Sequence, residues 1–401
     1  MPRLSERLQT NLAKLREAGT YKRLRELRAP IGPTTVMEGV GSVAVFCSND
    51  YLGLANHPEV VEAGIAGLRK YGAGTASVRF ICGTSACHRE LEERIADFLG
   101  TESALTYVSC WNANEGVIPG LVEPGDAIVS DELNHASIID AIRLTRQVER
   151  KVFRHSSTAE LETALQSVSG SPVKLVVTDG VFSMEGDIAK LPDLVKICRR
   201  HDATLVVDDS HAVGVLGSHG RGVFEHYGLP PRAPEGIDVL TGTLGKALGG
   251  AAGGYVAGPR DVIDHLIQRS RPQLFSNALP PTVACSAMRA IEILQREPER
   301  VARLHHNVAT MRSGLRSLGY EVLESPTAIL PIIVGETATA IRLSERLLKM
   351  GVFVVGFGFP VVPEGAARLR VQMSAAHTDE QIHRALEAFG KLKAEIPAHA
   401  H

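Results

Sequence analysis

The sequence lacks the features of a membrane protein or a nucleic-acid-binding protein. None of its apolar runs approaches the roughly 20 residues that span a bilayer. The formal net charge is only −2, so no general attraction to nucleic acid or to an anionic membrane is expected. The opening segment MPRLSERLQTNLAKLREAGTY has no apolar block of the secretory type, and its acidic residues are atypical of an organelle transit peptide. We therefore expect a cytoplasmic protein with neither membrane nor nucleic-acid partners.

Cysteine is scarce and scattered. The 401 residues include six cysteines, which are expected to stay reduced in the cytoplasm. The segment CGTSACH at 82–88 holds two cysteines and a histidine, but no second Cys/His pair at zinc-ligand spacing accompanies it. We expect no bound metal.

The chain also lacks internal repeats and low-complexity segments, and it is long enough for two or three domains. Residues 1–45 are predicted to form an N-terminal arm that begins with an amphipathic helix. Between 46 and 285, short β-rich runs alternate with amphipathic segments, which predicts a large domain. From 286 to 401 the pattern is helix, then short strands and a closing helix, which predicts a smaller α+β domain.

The large domain contains a strand–helix–strand unit. VKLVVTDG at 173–180 and ATLVVDDSH at 203–211 are typical of buried strands, and LPDLVKICRRHD between them is typical of an amphipathic helix. This order predicts an α/β fold with a largely parallel sheet. Ligands of such sheets bind beyond the carboxyl ends of the strands. The polar residues that follow predicted strands are therefore the candidate site: His135, Asp179, Ser183, Asp208, His211, Thr243 and Lys246.

Lys246 is the only charged side chain in TGTLGKALGGAAGGYVAG, residues 241–258. It does not belong to a nucleotide P-loop, because Leu240 and Ala247 stand where that motif needs glycine and Ser/Thr. A lysine reaching out from a glycine-rich turn is the structural alternative. The acid, histidines and hydroxyls collected at neighbouring strand ends favour a functional role instead.

A covalent role explains this setting of Lys246. An amine that forms a Schiff base must lose its proton, although a free lysine titrates near 10.4, and apolar surroundings favour the neutral form. Pyridoxal 5′-phosphate (PLP) requires such a lysine together with an acid at its pyridinium nitrogen. Asp208 can supply that acid. The alternative role for Asp208 is a helix cap, for which Asp209 is the better candidate.

Several segments together resemble the α-oxoamine synthases, PLP enzymes of the aspartate aminotransferase fold (fold type I). They are SNDYLGLANHP, GAGTASVRFICGT, DELNHASIIDA, TDGVFSMEGDIAKL, VDDSHAVGVLGSHGRG, TGTLGKALGGAAGGY, RPQLFSNALPP and RVQMSAAHT. The resemblance runs from about residue 40 to the C-terminus. It implies a large domain with a mostly parallel sheet, a smaller C-terminal domain, PLP as cofactor and a homodimer with shared active sites.

The resemblance also implies roles around the cofactor ring. Lys246 carries the covalent link, Asp208 pairs with the ring nitrogen, and His211 bonds the phenolic oxygen. His135 stacks on the ring and Ser183 orients it. Lys246, His135, Asp208 and His211 are thereby the expected catalytic residues.

Further roles concern the phosphate of the cofactor. The backbone of Cys110 and Trp111, at the start of a helix, is expected to hold it together with the Thr243 hydroxyl. Ser276 and Asn277 are expected to reach it from the partner subunit.

The substrate is expected to contact Asn49, His135 and Arg368, with the arginine gripping the carboxylate of the amino acid. Two positions depart from the family pattern. Trp111 stands where phenylalanine is expected, and Glu115 where a small residue is usual.

The implied reaction joins an amino acid to the acyl group of an acyl-CoA and releases CoA. SVRFICGT, TGTLGKALGGA and QMSAAHT are most similar to the family members that use glycine and acetyl-CoA, in either direction of the reaction between them and 2-amino-3-oxobutyrate, a step of threonine breakdown. The alternatives are L-alanine with pimeloyl-CoA, which gives 8-amino-7-oxononanoate for biotin, or another acyl donor. An aminotransferase and a catalytically dead scaffold are the more distant alternatives.

Overall fold

A computed structural model describes residues 2–393 of the chain. Within these residues the strands form three sheets. In chain order the strands are β1 (Thr34–Met37), β2 (Gly41–Val45), β3 (Ser103–Tyr107), β4 (Ala127–Asp131), β5 (Glu149–Phe153), β6 (Lys174–Asp179), β7 (Thr204–Asp208), β8 (Val239–Thr243), β9 (Gly254–Gly258), β10 (Ile329–Gly335), β11 (Val352–Phe353), β12 (Val355–Phe357) and β13 (Ala367–Gln372).

The helices alternate with strands along much of the chain, as in other α/β proteins. They are α1 (Pro2–Glu17), α2 (Pro58–Tyr71), α3 (Ala86–Leu99), α4 (Cys110–Gly120), α5 (Ala136–Leu144), α6 (Thr158–Ser167), α7 (Leu191–Arg200), α8 (Val223–His226), α9 (Arg260–Arg269), α10 (Arg271–Phe275), α11 (Pro281–Arg296), α12 (Glu299–Ser317), α13 (Thr337–Lys349) and α14 (Asp379–Leu392), with a π turn at Arg79–Gly83. Among residues 2–393, none of the helices combines the length and hydropathy of a membrane span.

The chain divides into two compact units. One contains Asn49–Ser183 and Asp187–Leu304. The other contains residues 2–48, the tripeptide Met184–Gly186, and residues 305–393. The N-terminal segment is thus grouped with the C-terminal part, whereas the sequence division treats residues 1–45 as a separate arm. The boundaries at 45 and 285 stay predictions.

The first unit is built on a seven-stranded sheet in the order β3-β9-β8-β7-β6-β4-β5. Strand β9 runs antiparallel to both its neighbours, and the other strand pairs are parallel. Every residue of β6 is buried, as expected for a central strand of a sheet covered on both faces. The predicted α/β fold with a largely parallel sheet is confirmed.

One hydrophobic core brings two helix N-termini to the carboxyl edge of this sheet. Apolar side chains of α4, α5 and α9 pack with those of the strands, among them Val117, Ile138 and Leu266. Helix α4 follows β3, and α5 follows β4, so their first residues lie just beyond strand ends. This packing positions Cys110 and His135.

The second unit contains the two smaller sheets, β1-β2-β11 and β10-β13-β12. Helix α14 begins with a capping box in HTDEQ: Thr378 Oγ1 accepts from the backbone N–H of Gln381, and Gln381 Oε1 accepts from the backbone N–H of Thr378. On β13, Arg368 and Arg370 are two residues apart and therefore point to the same face of the strand.

Candidate functional site

A cavity of about 230 Å³ lies at the carboxyl ends of β6, β7 and β8. All the residues predicted for the site line it except Asn49, Ser276, Asn277 and Arg368. The lining residues are Ser109, Cys110, Trp111, His135, Ser137, Asp179, Ser183, Asp208, Ser210, His211, Thr243 and Lys246. Residues as far apart in sequence as 110 and 246 are thus collected at one sheet edge, where the parallel topology predicts a ligand site.

Asp208 ends β7, and its carboxylate is fixed by hydrogen bonds. Asn114 Nδ2 donates to Asp208 Oδ2 at 2.7 Å, and the backbone N–H of Ser210 donates to Oδ1 at 3.0 Å. Asn114 Nδ2 also donates to Ser137 Oγ at 2.9 Å, and Asn114 Oδ1 accepts from Thr241 Oγ1 at 2.9 Å. Asn114 is buried and was missed by sequence reasoning, because no local pattern marks an asparagine inside a helix as a partner of a distant aspartate.

The alternative role considered for Asp208, helix capping, is performed by its neighbour. Asp209 Oδ2 accepts from the backbone N–H of Val223, the first residue of α8, at 2.9 Å. Gly222 makes this approach possible, since a Cβ there would lie 1.9 Å from Asp209 Oδ2. Burial raises the pKa of Asp209 to about 7 despite that hydrogen bond, and the charge of Asp208 adds to the shift.

His135 caps α5 and is neutral at neutral pH. The backbone N–H of Ser137 donates to His135 Nδ1 at 3.2 Å, which assigns the proton of the neutral ring to Nε2. Burial lowers the pKa of His135, and the charge of Lys246 lowers it further against the opposing effect of Asp208. A neutral imidazole with an Nε2–H donor therefore lines the cavity.

Asp179 is the last residue of β6 and is hydrogen-bonded to the backbone of His135. Its Oδ2 accepts from the backbone N–H of His135 at 2.7 Å. Burial raises the pKa of Asp179 well above its usual range, and the nearby charge of Asp208 adds to that shift. The shift removes part of the repulsion between the two carboxyl groups.

His211 and Asn49 share a contact with a residue that the sequence reasoning did not select. The hydroxyl of Tyr51 lies 2.7 Å from His211 Nδ1 and 3.3 Å from Asn49 Oδ1. Tyr51 is fully buried. Asn49 thus contacts Tyr51 and does not line the cavity, and its predicted contact with the substrate stays a prediction.

The segment with Lys246 and the start of α4 complete the cavity. Thr243 Oγ1 donates to the carbonyl of Gly253 at 3.2 Å and accepts from the N–H of Gly245 at 3.1 Å, which fixes the turn that carries Lys246. The predicted helix start at Cys110 is present, capped by Ser109 Oγ. The first N–H groups of an α-helix have no partner within the helix, and this helix start is therefore suited to an anion.

Two of the predicted residues lie elsewhere in the same unit. Ser276 and Asn277 line a separate small cavity with Arg79 and Thr106. Asn277 also forms an isolated β-bridge with Val78.

Arg368 belongs to the other unit, and its guanidinium is already engaged there. Its Nη1 donates to the carbonyl of Met184 at 2.9 Å and to Glu185 Oε1 at 3.1 Å. Arg370 lies 4.5 Å over the ring of Phe357, and its Nη2 donates to Gln372 Oε1 at 3.2 Å. Because Glu185 balances the charge of Arg368, Arg370 is a second candidate for binding a carboxylate.

The chain is similar to known proteins in both sequence and fold. The family model for class I and II aminotransferases matches residues 42–389. The chain is 45% identical over 394 residues to an 8-amino-7-oxononanoate synthase of Symbiobacterium thermophilum, which covers 98% of this chain and 99% of that protein. It is 43% identical over 394 residues to the mitochondrial 2-amino-3-ketobutyrate coenzyme A ligase of Homo sapiens, covering 97% and 93%. A solved structure of SPT with PLP superposes with a TM-score of 0.91 at 31% identity, covering 97% of each chain.

Proposed function

Because this chain belongs to the class I and II aminotransferase family, we propose that it is a PLP-dependent acyltransferase that condenses glycine with acetyl-CoA. The products are 2-amino-3-oxobutyrate and CoA, and the reverse cleavage uses the same residues. The observation that carries the proposal is the placement of Lys246 and Asp208 in one cavity. Relatives named 2-amino-3-ketobutyrate coenzyme A ligase, at 43% and 44% identity over almost the whole chain, support the substrate assignment.

The chemical groups of the cavity fit PLP. Lys246 provides the amine for a covalent link, and Asp208 provides a fixed carboxylate for the ring nitrogen. The start of α4 at Cys110 and the hydroxyl of Thr243 provide donors for the phosphate. His135 offers a flat ring. When bound, PLP supplies an electron sink for the carbanion formed at the Cα of glycine.

The residues of this chain then move the protons. Lys246 Nζ is the base that takes the Cα proton of glycine. Asn114 and Ser210 hold the Asp208 carboxylate in place, so it would pair with the ring nitrogen of bound PLP. His135 Nε2–H donates to the oxygen of the thioester carbonyl as negative charge develops there. The Cα of glycine forms a C–C bond to the thioester carbon as the C–S bond breaks, and the proton that Lys246 removed leaves on the sulfur of CoA.

Release of free thiol from a panel of substrates tests this function. With purified enzyme saturated with PLP, we expect turnover of glycine with acetyl-CoA, measured with a thiol reagent, and formation of an aminoketone. The specific alternative is L-alanine with pimeloyl-CoA, which the relative at 45% identity favours. Equal or faster turnover of that pair would replace the first assignment. Amino transfer to a keto acid without thiol release would contradict both.

Paired arginine variants decide which residue binds the carboxylate of glycine. If Arg368 has this role, Arg368→Lys raises the KM for glycine by about 10- to 100-fold, because a bidentate charged contact is lost. If Arg370 has this role, the same increase is expected in Arg370→Lys, since the two arginines lie on the same face of β13. Steady-state kinetics with glycine varied at saturating acetyl-CoA measures it. A larger effect in Arg368→Lys would assign the carboxylate of glycine to Arg368, as the family resemblance implies.

The proposal includes a homodimer with shared sites, in the cytoplasm. Three apolar side chains near Ser276 and Asn277 in this unit are strongly exposed in a single chain, as expected of a surface that a second subunit covers. Their exposed fractions are 62% for Phe80, 67% for Ile81 and 70% for Phe275. Ser276 and Asn277 then contribute to the phosphate site of the partner.

A further inference from the structure

Trp111 and Glu115 are hydrogen-bonded to each other at the rim of the cavity. Trp111 lines the cavity but is 39% exposed, so it lies at the mouth, whereas Asp208 is buried inside. Its indole Nε1–H donates to Glu115 Oε1 at 2.9 Å, one turn further along α4. Asn112 Nδ2 donates to the other carboxylate oxygen at 3.1 Å. Both oxygens of Glu115 are thereby used to hold its orientation.

The indole of Trp111 also contacts the ring of His135. The rings of Trp111 and His135 meet edge to face, with centroids 6.0 Å apart and planes at 79°. The contacts with a carboxylate and with an imidazole together restrict rotation of the indole. Trp111 therefore forms a fixed wall beside the proposed catalytic His135.

An acyl chain that enters at this rim of the cavity passes the Trp111 indole. CoA is much larger than a cavity of about 230 Å³, so the body of the donor stays outside and the acyl group enters through the mouth. A short acyl chain passes a fixed indole more easily than a long one. A chain that ends in a carboxylate additionally meets the negative charge of Glu115.

We propose that Glu115 and Trp111 select the acyl donor: Glu115 locks the Trp111 indole as a wall that favours short chains, and its charge disfavours chains that end in a carboxylate. This inference rests on the proposed acyltransferase function and assigns its substrate class as short, uncharged acyl thioesters. Glu115 acts through Trp111 and through its charge, not on the reacting atoms.

Three acyl donors separate chain length from charge. Acetyl-CoA is short, heptanoyl-CoA is long and neutral, and pimeloyl-CoA has the same length with a terminal carboxylate. For Glu115→Gln, which keeps an acceptor for the indole, we expect the kcat/KM ratio of pimeloyl-CoA to heptanoyl-CoA to rise about fivefold. For Trp111→Phe, we expect the ratio of heptanoyl-CoA to acetyl-CoA to rise about tenfold. Glu123→Gln changes the net charge equally outside the cavity lining and is the matched control.

The hydrogen bond between Trp111 and Glu115 can be tested without substrate. Trp111 is the only tryptophan of the chain, so its fluorescence reports this position alone. Glu115→Ala is expected to increase acrylamide quenching and lower the anisotropy, whereas Glu115→Gln stays close to the parent protein. Equal quenching in Glu115→Ala and the parent, or an unchanged pimeloyl-to-heptanoyl ratio in Glu115→Gln, overturns the inference and leaves the acyltransferase function standing. A parent enzyme that releases no thiol with any donor overturns both.

Discussion

Lys246→Ala is expected to lower kcat for glycine and acetyl-CoA by about 10³-fold or more, because general base catalysis of this kind contributes roughly 10²- to 10⁴-fold. The variant also loses the covalent attachment of PLP. No other residue that lines the cavity carries an amine side chain, so no neighbour replaces it. Thiol release measures the rate, and mass spectrometry after borohydride reduction measures the attachment.

The matched control for this variant is Lys190→Ala. Lys190 is exposed, and its Nζ donates to the carbonyl of Ser156 at 3.1 Å, outside the cavity. The control is expected to keep both the rate and the mass increase that borohydride produces. If Lys246→Ala retained more than a tenth of the parent rate, the central assignment of the site would be wrong.

His155 is expected to make the free energy of unfolding fall with rising pH. Its Nδ1 lies 3.1 Å from Asp131 Oδ1 and its Nε2 lies 2.7 Å from Asp187 Oδ2, with only 19% of the side chain exposed. Burial opposes the charged ring, but the hydrogen bonds to the two carboxylates outweigh it and raise the pKa of His155 to about 10. The ring also packs edge to face on Phe182, at 4.3 Å between centroids.

The sign of this effect follows from the direction of the shift. The folded protein holds the proton on His155 up to about pH 10, whereas the unfolded chain releases it near 6.5. The stabilisation is therefore complete below about pH 6.5 and is lost as the pH rises through about 10. Its size is on the order of 5 kcal/mol.

Chemical denaturation at several pH values between 6 and 10.5 measures this loss. His155→Gln removes the titrating group, so the difference in unfolding free energy between the parent and the variant is expected to shrink as the pH rises. His219→Gln is the control, because His219 also contacts a carboxylate but is 63% exposed and contributes little. A difference between parent and His155→Gln that stays constant with pH would contradict the prediction.

The local pattern of apolar and polar residues was sufficient to predict the helices and strands around the site. In RELEERIADFLG, helical spacing puts Leu91, Ile95, Phe98 and Leu99 on one face, and all four are buried in α3. The parallel strands β6 and β7, joined through α7, are present as predicted. These features depend on periodicity and capping over a few residues, which the sequence displays directly.

The chemistry at the strand ends was also predictable. Parallel strands end at one edge of a sheet, so polar residues that follow them share that edge whatever the details of packing. This rule is sufficient to bring His135, Asp208, Thr243 and Lys246 together. The family and its cofactor followed from the same residues and the motifs around them.

Partners that are distant in sequence were decided by the tertiary structure alone. Asn114 holds Asp208 from 94 positions away, and Tyr51 reaches His211 across 160 positions. The engagement of Arg368 by Glu185 likewise depends on a contact across 183 positions. Such hydrogen bonds form only where packing brings two buried polar groups within about 3 Å, and no local pattern records that distance. The sequence alone determined which residue types, at which strand ends, build this site. Only the tertiary structure decided which distant residues hold them in place.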